Sequence, residues 1–161
     1  MSSTNLIVVI EDTEDFLKAS DVIYERLDVD DKGFPRDYSF GCPYAVLACY
    51  TIESGIKNLL IHFNVPFNHE HDLLSLFDLL PSETKRTIYK YPNSVWNTGI
   101  FIETPEEIFR SLLSKTENIF KEARYFFETK NRDVEICVTF LHSTSHLILD
   151  TLKEVATSSK D

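Results

Sequence analysis

The chain has 161 residues, 43% of them apolar and 26% charged, with only four glycines and six prolines. This is the composition of one globular domain and excludes collagen-like, linker-rich and disordered chains; a chain this long buries roughly 70% of its unfolded surface and needs neither disulfide nor metal to fold. The net charge of −10 excludes a coat-type DNA or RNA binder, which needs cations to displace phosphate counterions.

A single domain is expected over residues 1–161, with its core at about 15–155, loose residues at 1–5 and a tail at 156–161. Residues 6–10 are apolar, and periodicity does not decide between a short strand and the lead-in to a helix. The run is too short for a signal core or a membrane span. From Asp12 the spacing turns helical, with Phe16, Ala19, Ile23 and Leu27 as the apolar stripe. Residues 28–35 form a loop of turn residues. Its acids resemble a calcium loop with Gly33 in the sixth place, but the twelfth place holds Ser39 where a glutamate is required.

A strong helix is predicted over 43–64, with Ala45, Cys49, Ile52, Ile56, Leu60 and Phe63 on one stripe. A second follows over 69–80, stopped by Pro81, and a short one over 82–90. Residues 91–104 read as irregular, anchored by Trp96 and Phe101. Thr104-Pro105-Glu106-Glu107 is a helix start, with a capping threonine, proline in first place and glutamate in third. That helix is predicted over 104–130, with Ile108, Leu112, Ile119, Phe120, Ala123 and Phe127 inward. A turn at 131–133 leads to a last helix over 133–155, with Ile136, Phe140, Leu147, Leu149 and Leu152 inward. The fold class is all-α: a bundle of four main helices plus one or two short ones.

Few motifs carry chemistry. Cys42, Cys49 and Cys137 are odd in number and contain no C-x-x-C, which reads as free thiols in a reducing cytoplasm. His142 and His146, four apart, share a helix face as a metal pair requires. Ser143-Thr144-Ser145 lies between them, so H-E-x-x-H is absent, and no third ligand can be named from the sequence. They read as a polar stripe at a helix contact, and neither metal nor cofactor is expected. His69, Glu70, His71 and Asp72 read as a helix start, with acids at its N-terminus and His71 bonded to a neighbouring element. Residues 84–91 hold three cations and two tyrosines with no acid, and read as a solvated helix face. No G-x-S-x-G, phosphate loop or dinucleotide fingerprint is present.

Three segments together resemble the HEPN domain family. Residues 48–60 hold Glu53 and Lys57, like that family's E-x-x-x-K helix. His71-Asp72-Leu73-Leu74-Ser75-Leu76 is similar to its H-D-L-x-x-L helix start. Glu122-Ala123-Arg124-Tyr125-Phe126-Phe127-Glu128 resembles the R-Y-x-x-E of some HEPN-like groups. The resemblance implies a helical bundle that pairs into a homodimer. Many members are metal-independent ribonucleases of toxin–antitoxin, antiphage or RNA-processing systems; others are inactive partners of nucleotidyltransferases or binding modules. The nucleases share R-x4–6-H, and here the sequence departs from them: Arg26, Arg36, Arg86, Arg110, Arg124 and Arg132 have no histidine at that distance, and His142 stands ten residues after Arg132. The expected function is therefore a non-catalytic, cytoplasmic binding or partner subunit of such a defence, toxin–antitoxin or nucleotidyltransferase system. Its partner would be a second copy, another protein, a nucleotide or a limited piece of RNA, and no membrane. Lys57, His71, Arg124 and Tyr125 are the candidate ligand-binding residues. Glu53, Asp72 and Glu128 are the candidate polar network, with Arg124 pairing Glu53 across the bundle and Glu128 along its own helix. The alternatives are a divergent metal-independent ribonuclease, with Arg124, His142 and His71 as its catalytic candidates, and a structural interaction protein.

Overall fold

A computed structural model describes residues 3–36, 40–68, 71–89, 104–124 and 137–158, and the side chains among them outside 3–9 and 117–124. Among the described residues six helices follow in chain order: α1 (Ser3–Tyr24), α2 (Gly41–His62), α3 (Leu73–Asp78), α4 (Ser82–Tyr89), α5 (Pro105–Arg124) and α6 (Val138–Ser158). Four are long and two short, and among the described residues the only β structure is an isolated bridge between Val29 and Pro35. None of these helices is long and apolar enough to cross a membrane.

α2 is the axis of the bundle, packed by α1, α3, α5 and α6. Its predicted stripe is buried at Ala45, Cys49, Ile52, Ile56 and Leu60, and Tyr44, Ala48 and Leu59 join it. Full burial of each large apolar side chain contributes about 1.5–3 kcal/mol, which is why this helix organises the rest. It ends at residue 62 because Asn64 turns left-handed, with φ 55°. Asn64 N–H then donates to Ile61 and Val65 N–H to Leu60, at 3.1 and 2.9 Å, closing the free carbonyls of the last turn.

α3 is shorter than the predicted 69–80. Asp72 caps it by accepting from Ser75 N–H at 3.0 Å, so the helix cannot begin before Leu73. α5 begins as expected: Thr104 N–H donates to Glu107 Oε2 at 2.7 Å, and Glu107 N–H to Thr104 Oγ1 at 3.3 Å. The buried face of α5 is Phe109, Leu113 and Thr116, one position on from the predicted Ile108 and Leu112, which are half-buried. Among the described residues α6 runs from Val138 through Ser158, into the expected tail; Phe140, Leu149 and Leu152 are buried as predicted. The anchors Trp96 and Phe101, the turn at 131–133 and the start of the last helix at 133–136 lie outside the described residues.

α1 departs most from expectation. It is helical from Ser3, through the run read as a possible strand. Its buried positions are Thr13, Leu17 and Ser20, whereas Phe16 and Ala19 face solvent. Polar side chains occupy the inner face because α1 lies close over α2 and α6 and finds hydroxyl partners there. Thr13 Oγ1 is 3.1 Å from Ser54 Oγ, Asn58 Nδ2 donates to Thr13 Oγ1 at 3.4 Å, and Ser20 Oγ returns to Leu17 O at 2.8 Å.

The loop after α1 folds back on α6. Gly33 has φ +85° and its carbonyl accepts from Thr139 N–H at 3.4 Å. Asp30 Oδ1 accepts from Lys32 and Phe34 N–H, both at 2.9 Å. These bonds, Phe34 foremost, hold the Asp30 carboxyl below its usual range. The acid that looked like a calcium ligand shapes its own turn.

Candidate functional site

Two polar clusters stand out. The first contains residues singled out by sequence. Glu53 lies on the inner half of α2, its side chain nearly buried. Two neighbouring nitrogens converge on one oxygen: Lys57 Nζ at 2.6 Å and His71 Nδ1 at 2.8 Å donate to Glu53 Oε1. The i, i+4 spacing places Lys57 there, and the short connector between α2 and α3 brings His71 back over it. Asp72 stands outside this contact, capping α3 through Ser75. Arg124 is the last residue of α5, and its side chain is not among those described; Tyr125 and Glu128, with His69 and Glu70, lie outside the described residues. Lys57 and His71 are therefore brought together on a carboxylate rather than left open to an anion.

Sequence reasoning found only half of the second cluster. His142 and His146 project from α6 toward α1, where Asp21 meets both. His146 Nε2 donates to Asp21 Oδ1 at 3.0 Å, and His142 Nδ1 lies 3.4 Å from the same oxygen. The ring of Tyr24 stacks on His142, centroids 3.9 Å apart and planes 3° from parallel, and the rings of His142 and His146 meet edge-on at 4.6 Å. Burial pushes the His142 imidazolium below the usual histidine value, His146 adds to this, and Asp21 pulls the other way. Its Nδ1 is buried and makes no hydrogen bond with any described group. The signal for Asp21 was present in α1: Leu17, Asp21 and Tyr24 share a face at i, i+4 and i+7, but a lone acid in an acid-rich segment does not announce its partner.

Other candidates fall away. In α4, Lys85 Nζ donates to Asp78 O at 3.0 Å and Arg86 lies 3.5 Å from Glu83, so these cations of the basic segment are held locally. Lys90 and Tyr91 lie outside the described residues. A shallow cleft of about 600 Å³ is lined by Pro66, Phe67, Asn68, Ser75, Leu76, Asp78 and Leu79, and Arg110 already occupies Asp78 with a two-pronged ion pair, one arm at 2.8 Å. The three cysteines are free thiols. No family model matches the chain, and no curated protein or solved structure does so either.

Proposed function

We propose that the chain is a non-catalytic, HEPN-like binding module that acts as a homodimer, its contact face built from α1 and α2. One observation carries this reading. Half of the apolar stripe of α1 that periodicity assigns to the core, Phe16 and Ala19, points outward, while Ile23 and Leu27 pack on the core: Phe16 is 37% exposed and its ring lies 4.3 Å from that of Tyr50, itself 42% exposed. Pro43 and Leu47, exposed and half-buried, continue the α2 side of this face at helical spacing. Exposed apolar surface of this kind marks a contact site, and a face that meets its own copy about a two-fold axis is the commonest arrangement. RNA is disfavoured as the partner, since the net charge is −10 and Glu53 takes up Lys57 and His71.

The test is mass by light scattering over a range of concentrations. A dimeric wild type that becomes monomeric with Phe16→Ser and Tyr50→Ser together supports the proposal. A wild type that stays monomeric throughout overturns the homodimer. Cleavage of RNA in EDTA by the purified chain overturns the non-catalytic assignment.

A further inference from the structure

We propose that Asp21, His142 and His146 form a binding site for a divalent first-row transition ion, zinc foremost, which joins α1 to α6. The site lies on a different face of α1 from Phe16 and does not depend on the dimer.

The geometry is that of a ligand set. An ion with ligands about 2.0–2.1 Å away in tetrahedral array spaces its ligand atoms about 3.3 Å apart. Around Asp21 Oδ1 the two imidazole nitrogens stand at 3.0 and 3.4 Å, and one ligand atom from each of the three residues falls within 4.8 Å of the others. Two histidines one helical turn apart and a carboxylate from a facing helix supply three ligands, leaving a fourth position for water. Imidazole nitrogen selects zinc and its neighbours over magnesium and calcium, which take oxygen.

The surroundings suit a cation. No described Lys or Arg pairs with Asp21, whose close polar side-chain partners among the described residues are these two histidines. The buried Nδ1 of His142 makes no hydrogen bond among the described residues, and a metal would satisfy it. Tyr24 stacks on the His142 ring and fixes its plane, the kind of support that orients a ligand before the metal arrives. A metal at Nε2 of His146 needs that nitrogen free of its proton, which the ring then carries on Nδ1.

The experiment titrates the tag-free full chain with Zn2+ and, for a spectrum, with Co2+. One equivalent of zinc bound, a raised Tm, and cobalt visible bands of tetrahedral coordination without thiolate charge transfer are expected. Mg2+ and Ca2+ should leave the Tm unchanged. His146→Ala and Asp21→Asn should each weaken zinc binding by about 100-fold or more, a larger loss than removal of an outer-shell partner causes, while circular dichroism stays that of the wild type. Should His142→Gln fail to fold because the Tyr24 stack is lost, the other two variants still decide. Absent stoichiometric uptake, uptake unchanged in folded His146→Ala, or thiolate bands assigning the metal to cysteine overturns the proposal.

Discussion

Gly55 of α2 lies directly beneath Ile148 of α6, so close that a Cβ on the glycine would collide with the isoleucine Cγ2. Ile148 is fully buried and β-branched, so its methyl cannot swing aside. The missing side chain sets how near α6 comes to the axis of the bundle. Gly55→Ala gains about 1 kcal/mol of helix propensity but overpacks the contact at a cost of about 1–3 kcal/mol. The expected outcome is a net loss of stability and a Tm lower by a few degrees, read by thermal denaturation; an unchanged or raised Tm would show that α6 can retreat.

Glu53, nearly buried itself, holds Lys57 and His71 on one oxygen. Glu53→Ala strands Lys57, whose side chain is 20% exposed, and is expected to cost about 2 kcal/mol. Urea denaturation measures this. Replacing both members, Glu53→Met with Lys57→Met, is expected to recover much of the loss, because an apolar pair leaves no unpaired charge. If the double variant is no better than the single one, the pair matters through more than its charge.

The capping box of α5 makes a pH prediction. Bonds from the Thr104 backbone and side chain hold the Glu107 carboxyl below its ordinary value of 4.5. A carboxyl with a lowered folded value binds its proton more weakly in the native state than in the unfolded one. Its contribution is complete above the ordinary value and is lost as the pH falls through the lower, folded value. The urea midpoints of wild type and Glu107→Gln should therefore differ at neutral pH and draw together in acid. A gap that does not vary with pH would remove the charge from the explanation.

Thiol reactivity should follow burial. Cys49 is fully buried, and burial, with Glu53 beside it, pushes its thiol far up; burial also raises Cys42 and Cys137, both of which keep partial exposure. Alkylation of the native protein, mapped by mass spectrometry, is expected to modify Cys42 first and Cys49 only on unfolding, since the thiolate is the reactive form. Early modification of Cys49 would mean that α2 opens locally.

The helical class was legible because α2, α5 and α6 repeat apolar residues at the helical period over several turns. The inner face of α1 was not. Its buried positions include Thr13 and Ser20, and a period search follows apolarity, so it settled on the outward Phe16 and Ala19. Tertiary partners decided instead: Ser54 and Asn58 of α2 satisfy the hydroxyl of Thr13. At the candidate site, His142 and His146 were visible as a pair because they share one helix. Asp21 was not, since it stands 121 positions before His142 and spacing carries no information across such a gap. Glu53 and Lys57 were local and could be paired on sight, whereas the return of His71 depends on the left-handed turn at Asn64, which no spacing rule reveals.

The pairing of α1 with α6 joins the beginning of the described chain to its end. Asp21 meets His146 across 125 positions and Glu14 meets Lys153 across 139. Contacts of such sequence separation are slow to form, because a long loop must close before they reward it. On the ribosome, α1 is made long before α6, so the part of its surface that α6 covers is completed late. α1 can lie on α2 beforehand, but Glu14 and Asp21 face water until α6 emerges. Emergence of α6, rather than synthesis of any earlier helix, sets the moment at which these two contacts close.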